Sequence, residues 1–290
     1  MWYISNIGGQ YMKRRFKTLF TIVLSILTLA FLLGIIPACT RSSKPSSGDT
    51  LPVDAPEEES GPKFVAHRGY SQYYVDNTEA SFRAAAQKPF YGIETDIRKT
   101  KDGYFVCNHD AEVKYAGGSK KTISSTKRDD LLSKPLLNDK TNEDAYLCTF
   151  ETYLQVCKAG NKVAVIELKD SLYSQDDLYS ILEIIDKEYT RKKVTFISFS
   201  YQPLSLLRTL APTIPLQYLS QTENDEKFDR CIREGVSIDV KQTILTEELI
   251  ERFHAAGLTV NVWTVNEEAD LQIVLDLGVD YVTTNLFCGE

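Results

Sequence analysis

Two of the three histidines in this 290-residue chain close short apolar runs, Phe64-Val65-Ala66-His67-Arg68-Gly69 and Tyr104-Phe105-Val106-Cys107-Asn108-His109-Asp110. Histidine exchanges a proton near neutral pH more readily than other side chains, and Arg68 sets a fixed positive charge beside His67. The two histidines therefore read as a proton-transfer pair working on an anionic group. Between them, in Gly92-Ile93-Glu94-Thr95-Asp96-Ile97-Arg98, the acids at 94 and 96 alternate with residues 93, 95 and 97. In a strand that spacing turns both carboxylates to one face.

A third acid, Glu167, precedes Leu168-Lys169 at the end of another apolar run. Three carboxylates at one mouth repel each other by about 4 kcal/mol per pair at 4 Å and an effective dielectric near 20. A divalent cation relieves that repulsion, and an all-oxygen ligand set favours Ca²⁺ or Mg²⁺ over zinc. Arg68 and Lys169 around the same point suit a phosphate oxygen. Phe199 and Trp263 end two further runs and stand either in the core or against a ligand. His254, inside the helical pattern Leu249, Ile250, Phe253, Ala256, is expected to be a packing residue.

These residues need a scaffold that brings distant segments together. Strand-like runs recur at 64–67, 92–98, 104–109, 162–168, 194–199, 215–219, 236–240, 258–264 and 279–283. From 162 onward they alternate with helical segments near 175–188, 202–210, 223–234, 246–256 and 266–277, so the sheet is parallel. The turn Thr100-Lys101-Asp102-Gly103 joins the second and third runs as a hairpin and leaves eight barrel strands. The expected fold is a (β/α)8 barrel with a β-hairpin after its second strand and an irregular stretch over 111–148; a doubly wound open sheet is the alternative. Centring the hairpin on 101 and 102 pairs residue 94 with 109.

Residues 1–39 read as an address. Lys13, Arg14, Arg15 and Lys17 precede an apolar run from Leu19 to Ile36, which ends at Pro37-Ala38-Cys39. That order resembles a bacterial lipoprotein signal with Cys39 as the acylated residue; an uncleaved single-span anchor is the alternative. Residues 40–62, rich in Ser, Pro, Gly and acids, read as a disordered tether, and 63–290 as one folded domain. The expected location is extracytoplasmic and membrane-anchored. The whole chain carries a net charge of −7, and an acidic domain is a poor nucleic-acid binder. Apart from Cys39, the cysteines at 107, 148, 157, 231 and 288 are odd in number and lack zinc-type spacing, so buried thiols rather than a disulfide framework are expected.

Taken together, the motifs resemble the glycerophosphodiester phosphodiesterase family. Those that carry the resemblance are His67-Arg68-Gly69, Asn77-Thr78, Gly92-Ile93-Glu94-Thr95-Asp96, Asn108-His109-Asp110, Glu167-Leu168-Lys169, Ile197-Ser198-Phe199, Trp263-Thr264-Val265-Asn266 and Thr284-Asn285. The resemblance spans 64–286 and implies a barrel enzyme that cleaves glycerol-3-phospho-alcohols to glycerol 3-phosphate and an alcohol. It implies His67 and His109 as general acid and base, Glu94, Asp96 and Glu167 as metal ligands, and Arg68 and Lys169 as phosphate binders, with Phe199 and Trp263 on the substrate. One departure is Val75-Asp76-Asn77-Thr78, where the family has Pro-Glu-Asn-Thr. Two other readings keep the same pocket: a phosphodiesterase of intact phospholipids or sphingolipids, and a surface lipoprotein that binds phosphodiesters without cleaving them.

Overall fold

The computed structural model describes residues 61–170 and 172–286. The expected address, Cys39 and residues 40–60 of the tether lie outside the described residues, as does Cys288. Eight parallel strands close on themselves in the order β1 (Lys63–Ala66), β2 (Gly92–Lys99), β7 (Val163–Leu168), β8 (Val194–Ser198), β9 (Leu216–Ser220), β10 (Ser237–Lys241), β11 (Val260–Trp263) and β12 (Tyr281–Thr284). The closing pairs are Val65 with Gly92 and Ala66 with Ile93, which exclude an open doubly wound sheet. The (β/α)8 barrel is therefore the observed fold.

Period-2 alternation sorts every strand into two faces. Ile93, Ile97, Ala164, Ile166, Ile238 and Val240 point outward into the main core, where α1 (Glu79–Ala86), α3 (Phe150–Ala159), α4 (Gln175–Glu188), α5 (Tyr201–Leu210), α6 (Asp225–Glu234), α7 (Glu247–Ala255) and α8 (Glu268–Asp276) cover them. Inside the barrel a smaller cluster of Val65, Val165, Ile197 and Leu219 fills the centre. Helix starts follow from their caps: Thr78 accepts from Ser81 N, and Ser174 forms a reciprocal box with Asp177. Cys107, Cys148, Cys157 and Cys231 are buried in the main core, where they pack as small apolar groups.

The hairpin β2/β3 (Phe105–Cys107) forms, with Ile97 opposite Cys107 and Lys99 opposite Phe105. Thr100 N donates to Tyr104 O at 2.8 Å, so the turn centres on Asp102 and the register is one residue off the expected 94–109 pairing. The stretch 111–148 is not irregular. It holds β4 (Glu112–Lys114), β5 (Lys120–Thr122), α2 (Arg128–Leu132) and β6 (Cys148–Thr149), the last pairing with β3. Val113, Tyr115, Ile123, Leu131, Leu136 and Leu147 form a small core in this insertion, on which Val106 of β3 and Val75 also pack. Strands of three residues are too short to show a period in the sequence, which is why the order was hidden.

His254 is a second correction. It lies exposed on α7, its Nε2 2.8 Å from Asp280 Oδ2, and not in the core. Among the described residues no helix is long and apolar enough to cross a membrane.

The turn after β1 is tightly built. Gly69 has φ +85°, and a Cβ there would sit 2.4 Å from Ser81 Oγ and 2.7 Å from the Ser81 carbonyl carbon at the start of α1. Gly69→Ala should therefore cost about 2 kcal/mol or more through overpacking and a left-handed backbone, read as a melting temperature lower by roughly 5 °C or more. An unchanged melt would show that α1 can move away from the turn.

Candidate active site

β2 and β7 run side by side with Asp96 directly opposite Glu167. Because Glu94 shares the inward face of β2, one oxygen from each of Glu94, Asp96 and Glu167 lies within 4.8 Å of the others. All three are buried, at 2%, 0% and 8% exposure. Burial and the neighbouring acids drive Glu94 well above the usual carboxylate range, with Arg68 opposing. Burial likewise raises Glu167 to about 7, with Asp96 adding to the rise and Lys169 opposing it. Burial pushes Asp96 upward too, but Arg68, Lys169 and Asn77 outweigh it and hold this acid below its ordinary value.

Two cations are wedged among these acids. Lys169 Nζ stands 2.9 Å from Glu167 Oε1 and 3.5 Å from Asp96 Oδ1, with only a tenth of its side chain exposed. Arg68 approaches with Nε 3.4 Å from Asp96 Oδ2 and Nη1 3.3 Å from Asp76 Oδ2. Its backbone, held at φ +57°, turns the amide inward to donate to Glu94 Oε2 at 2.8 Å. The shortened acid at 76 thus still reaches the arginine, and it also pairs with Lys140 of the insertion at 3.3 Å.

Sequence reasoning matched Asn77 as a motif residue and gave it no role. Its Nδ2 donates to Asp96 Oδ2 at 2.8 Å, and its Oδ1 accepts from Thr95 Oγ1 at 2.7 Å. Asn285 was similarly missed: its Oδ1 faces His67 Nδ1 at 2.7 Å, across 218 positions of sequence. With the amide oxygen toward the ring, Nδ1 carries the proton and Nε2 is left basic. Burial, with Arg68 adding, lowers the His67 pKa to about 4, against the Asn285 hydrogen bond, so the imidazole is neutral at pH 7.

His109 reaches the same cavity from the loop after β3. It is half-exposed, and Arg98 holds its backbone, donating from Nε and Nη2 to the His109 carbonyl at 3.0 and 2.7 Å. Its Nδ1 lies 3.0 Å from Asp110 Oδ1. Burial lowers its pKa, opposed by Asp110. Phe199 and Trp263 meet edge to face at 5.6 Å and form an apolar wall of the cavity, with Lys169 Nζ 5.9 Å from the centre of the Phe199 ring, so both face the cavity rather than the outer core. The cavity has a volume of about 350 Å³. A second cleft of about 240 Å³ runs from Arg68 and His109 toward Leu136, Asp139 and Lys140 of the insertion.

The donor set accommodates a metal ion. Asp96 Oδ1 is buried and accepts no hydrogen bond, an expensive state for a carboxylate oxygen that a hard cation would end. Buried acids, two imidazoles and two cations at the C-terminal rim of a barrel define a hydrolase of phosphoric diesters. The chain belongs to the glycerophosphoryl diester phosphodiesterase family, whose sequence profile matches residues 67–287. It is 27% identical to a glycerophosphodiester phosphodiesterase of Bacillus altitudinis over 232 residues, covering 77% of this chain and 94% of that protein. A Bacillus subtilis glycerophosphodiester phosphodiesterase is also 27% identical, over 304 residues, 94% of this chain and 95% of the other. The fold is shared with an Oleispira antarctica phosphodiesterase solved with its product sn-glycerol-3-phosphate, at TM-score 0.71 and 22% identity, covering 78% and 93% of the two chains.

The depressed pKa of His67 carries a stability consequence. Its folded value of about 4 lies below the 6.5 of an unperturbed imidazole, so between those values the unfolded chain binds more protons. Stability should drain as pH falls through that window. In chelator, His67→Gln should lose less thermal stability between pH 7 and pH 5 than the wild type; equal losses would show that His67 is charged in the folded protein.

Proposed function

We propose that this protein hydrolyses glycerophosphodiesters to glycerol 3-phosphate and an alcohol. The observation that carries the reading is that one cavity is lined by both imidazoles, Glu94, Glu167 and both cations, with the buried Asp96 within 4.8 Å of the other two acids. Glu94, Asp96 and Glu167 would hold a divalent ion, and oxygen-only ligands suit Ca²⁺ or Mg²⁺. When bound, that ion supplies Lewis-acid stabilisation of charge on a phosphoryl oxygen.

The side chains divide the remaining work. Arg68 and Lys169 orient the phosphodiester and offset its developing negative charge. His67, neutral with Nε2 basic, takes the proton from the glycerol 2-hydroxyl as that oxygen attacks phosphorus. His109, nearer solvent beside the insertion cleft, gives a proton to the departing alkoxide. The bond to the alcohol breaks as the new P–O bond forms, leaving a cyclic phosphate. Water then opens the ring, with the proton transfers reversed, to yield glycerol 3-phosphate. The apolar wall of Phe199 and Trp263 shields this exchange from bulk water.

The proposed setting is extracytoplasmic, with lipidated Cys39 as the membrane anchor. Its support is the basic-apolar-cysteine order of the sequence.

Glycerophosphocholine and glycerophosphoglycerol should release glycerol 3-phosphate, stop with chelator, and resume when Ca²⁺ or Mg²⁺ is restored. His67→Ala and His109→Ala should each lower kcat by about 10² or more, the usual contribution of a positioned acid or base. Glu94→Gln should no longer respond to added metal. Near-normal turnover by either histidine variant, or cleavage confined to intact phospholipid or sphingomyelin, would overturn the reading.

A further inference from the structure

Asp239 is the one acid lining the cavity that the chemistry above leaves without a task. It lies in the middle of β10, 1% exposed, on the inward face between Ile238 and Val240 of the outer core. Six strands into an eight-strand ring, β10 stands diametrically opposite β2, which carries Glu94 and Asp96. Asp239 and the acidic trio therefore face each other across the cavity.

The surroundings of Asp239 leave one of its carboxylate oxygens without a partner. Its Oδ1 is sealed from solvent and has no hydrogen-bond partner. The polar side chains nearest in register are committed elsewhere. Asn261, directly opposite on β11, donates to Gln217 and accepts from Thr283, both at 3.3 Å. Trp263 Nε1 donates at 3.2 Å to the Asp239 backbone carbonyl rather than to the carboxyl group. Leu219, opposite on β9, is apolar. Burial and the charge of Glu167 both push the acid well above its ordinary pKa. An unpartnered buried carboxyl is costly, and such a cost persists where an absent group completes it.

Taking the proposed phosphodiesterase function as given, we infer that Asp239 reads the glycerol unit: its carboxyl group is the hydrogen-bond partner of a glycerol hydroxyl. The phosphate of the substrate sits against Arg68 and Lys169, so the group that reaches the far wall is the part of the ligand beyond the phosphorus. Between the two walls Ile197, Leu219 and Trp263 fit a short carbon chain, with Gln221 and Thr283 also on the lining and the Thr283 hydroxyl donating to Asn261. Asp239 is the buried acid at the end of that path. A phosphodiester without hydroxyls on that arm would leave the carboxyl group unpaired, so the residue selects for a polyol arm. Discrimination by a buried polar group left unpaired is larger than a hydrophobic pocket achieves against a single methylene.

The test is calorimetric binding to the full chain supplied with Ca²⁺, comparing glycerol 3-phosphate with ethyl phosphate, which has the same dianion and no hydroxyl. The wild type should bind glycerol 3-phosphate at least 10-fold more tightly. Asp239→Leu should lose that advantage while its affinity for ethyl phosphate stays within about twofold. It should also melt no lower than the wild type, since the orphaned carboxyl is gone. Asp239→Asn, close in shape and still polar, should keep most of the preference. Should the leucine variant not fold, the wild-type comparison with 1-phosphopropane-2-ol, which lacks one hydroxyl, remains decisive: equal affinity for all three phosphates overturns the inference. So does a leucine variant that weakens both ligands alike. A wild type that binds none of the phosphates overturns the phosphodiesterase reading, and this inference with it.

Discussion

Mutual repulsion among three buried carboxylates is the constraint around which the rim is organised. At about 4 kcal/mol per close pair, Glu94, Asp96 and Glu167 cannot share a dry site unaided. The parallel register that sets Asp96 opposite Glu167 forces them together. Two cations enter on separate strands to meet them, Lys169 from two residues beyond Glu167 and Arg68 from the end of β1. The left-handed backbone at Arg68 serves the same need, since this turn aims both its amide and its guanidinium at the acids. Partial neutralisation leaves Asp96 ionised and Glu94 and Glu167 reluctant, which is the state a divalent ion would complete.

The arrangement also separates the two imidazoles by environment. His67 is embedded under the strand ends and held by an amide, so its ring is fixed and neutral. His109 sits on a loop, shares its proton environment with Asp110 and stays open to water. Groups of one chemical type thereby meet different environments, set by burial together with their neighbours Asn285, Arg68 and Asp110.

Much of this was legible from the chain itself. Alternation over 92–98 put Glu94 and Asp96 on one face, and the helix-strand rhythm after 162 implied a parallel sheet that brings residues 67 and 167 to one rim. The hidden parts have identifiable causes. Asn77 acts only because its backbone adopts φ +57°, and no local pattern announces that. Asn285 acts across most of the domain, so no spacing rule connects it with His67. Asp239 sits inside an ordinary apolar run, where one acid reads as a solvated strand face until closure of the barrel buries it. His254 sits within an apolar helical pattern, yet its position on the helix turns it to solvent and Asp280.

The insertion between β3 and β6 has a separate apolar centre and meets the catalytic rim chiefly through Lys140 and Asp76. Its packing reaches the barrel side through Val106 of β3 and Val75, while its surface borders the cleft that runs from Arg68 and His109. Evolution can rewrite that module without disturbing the barrel register on which the carboxylates depend. Changes on the outer surface of that module can therefore reshape the mouth of the cleft while the strand pairing that gathers the acids is left alone.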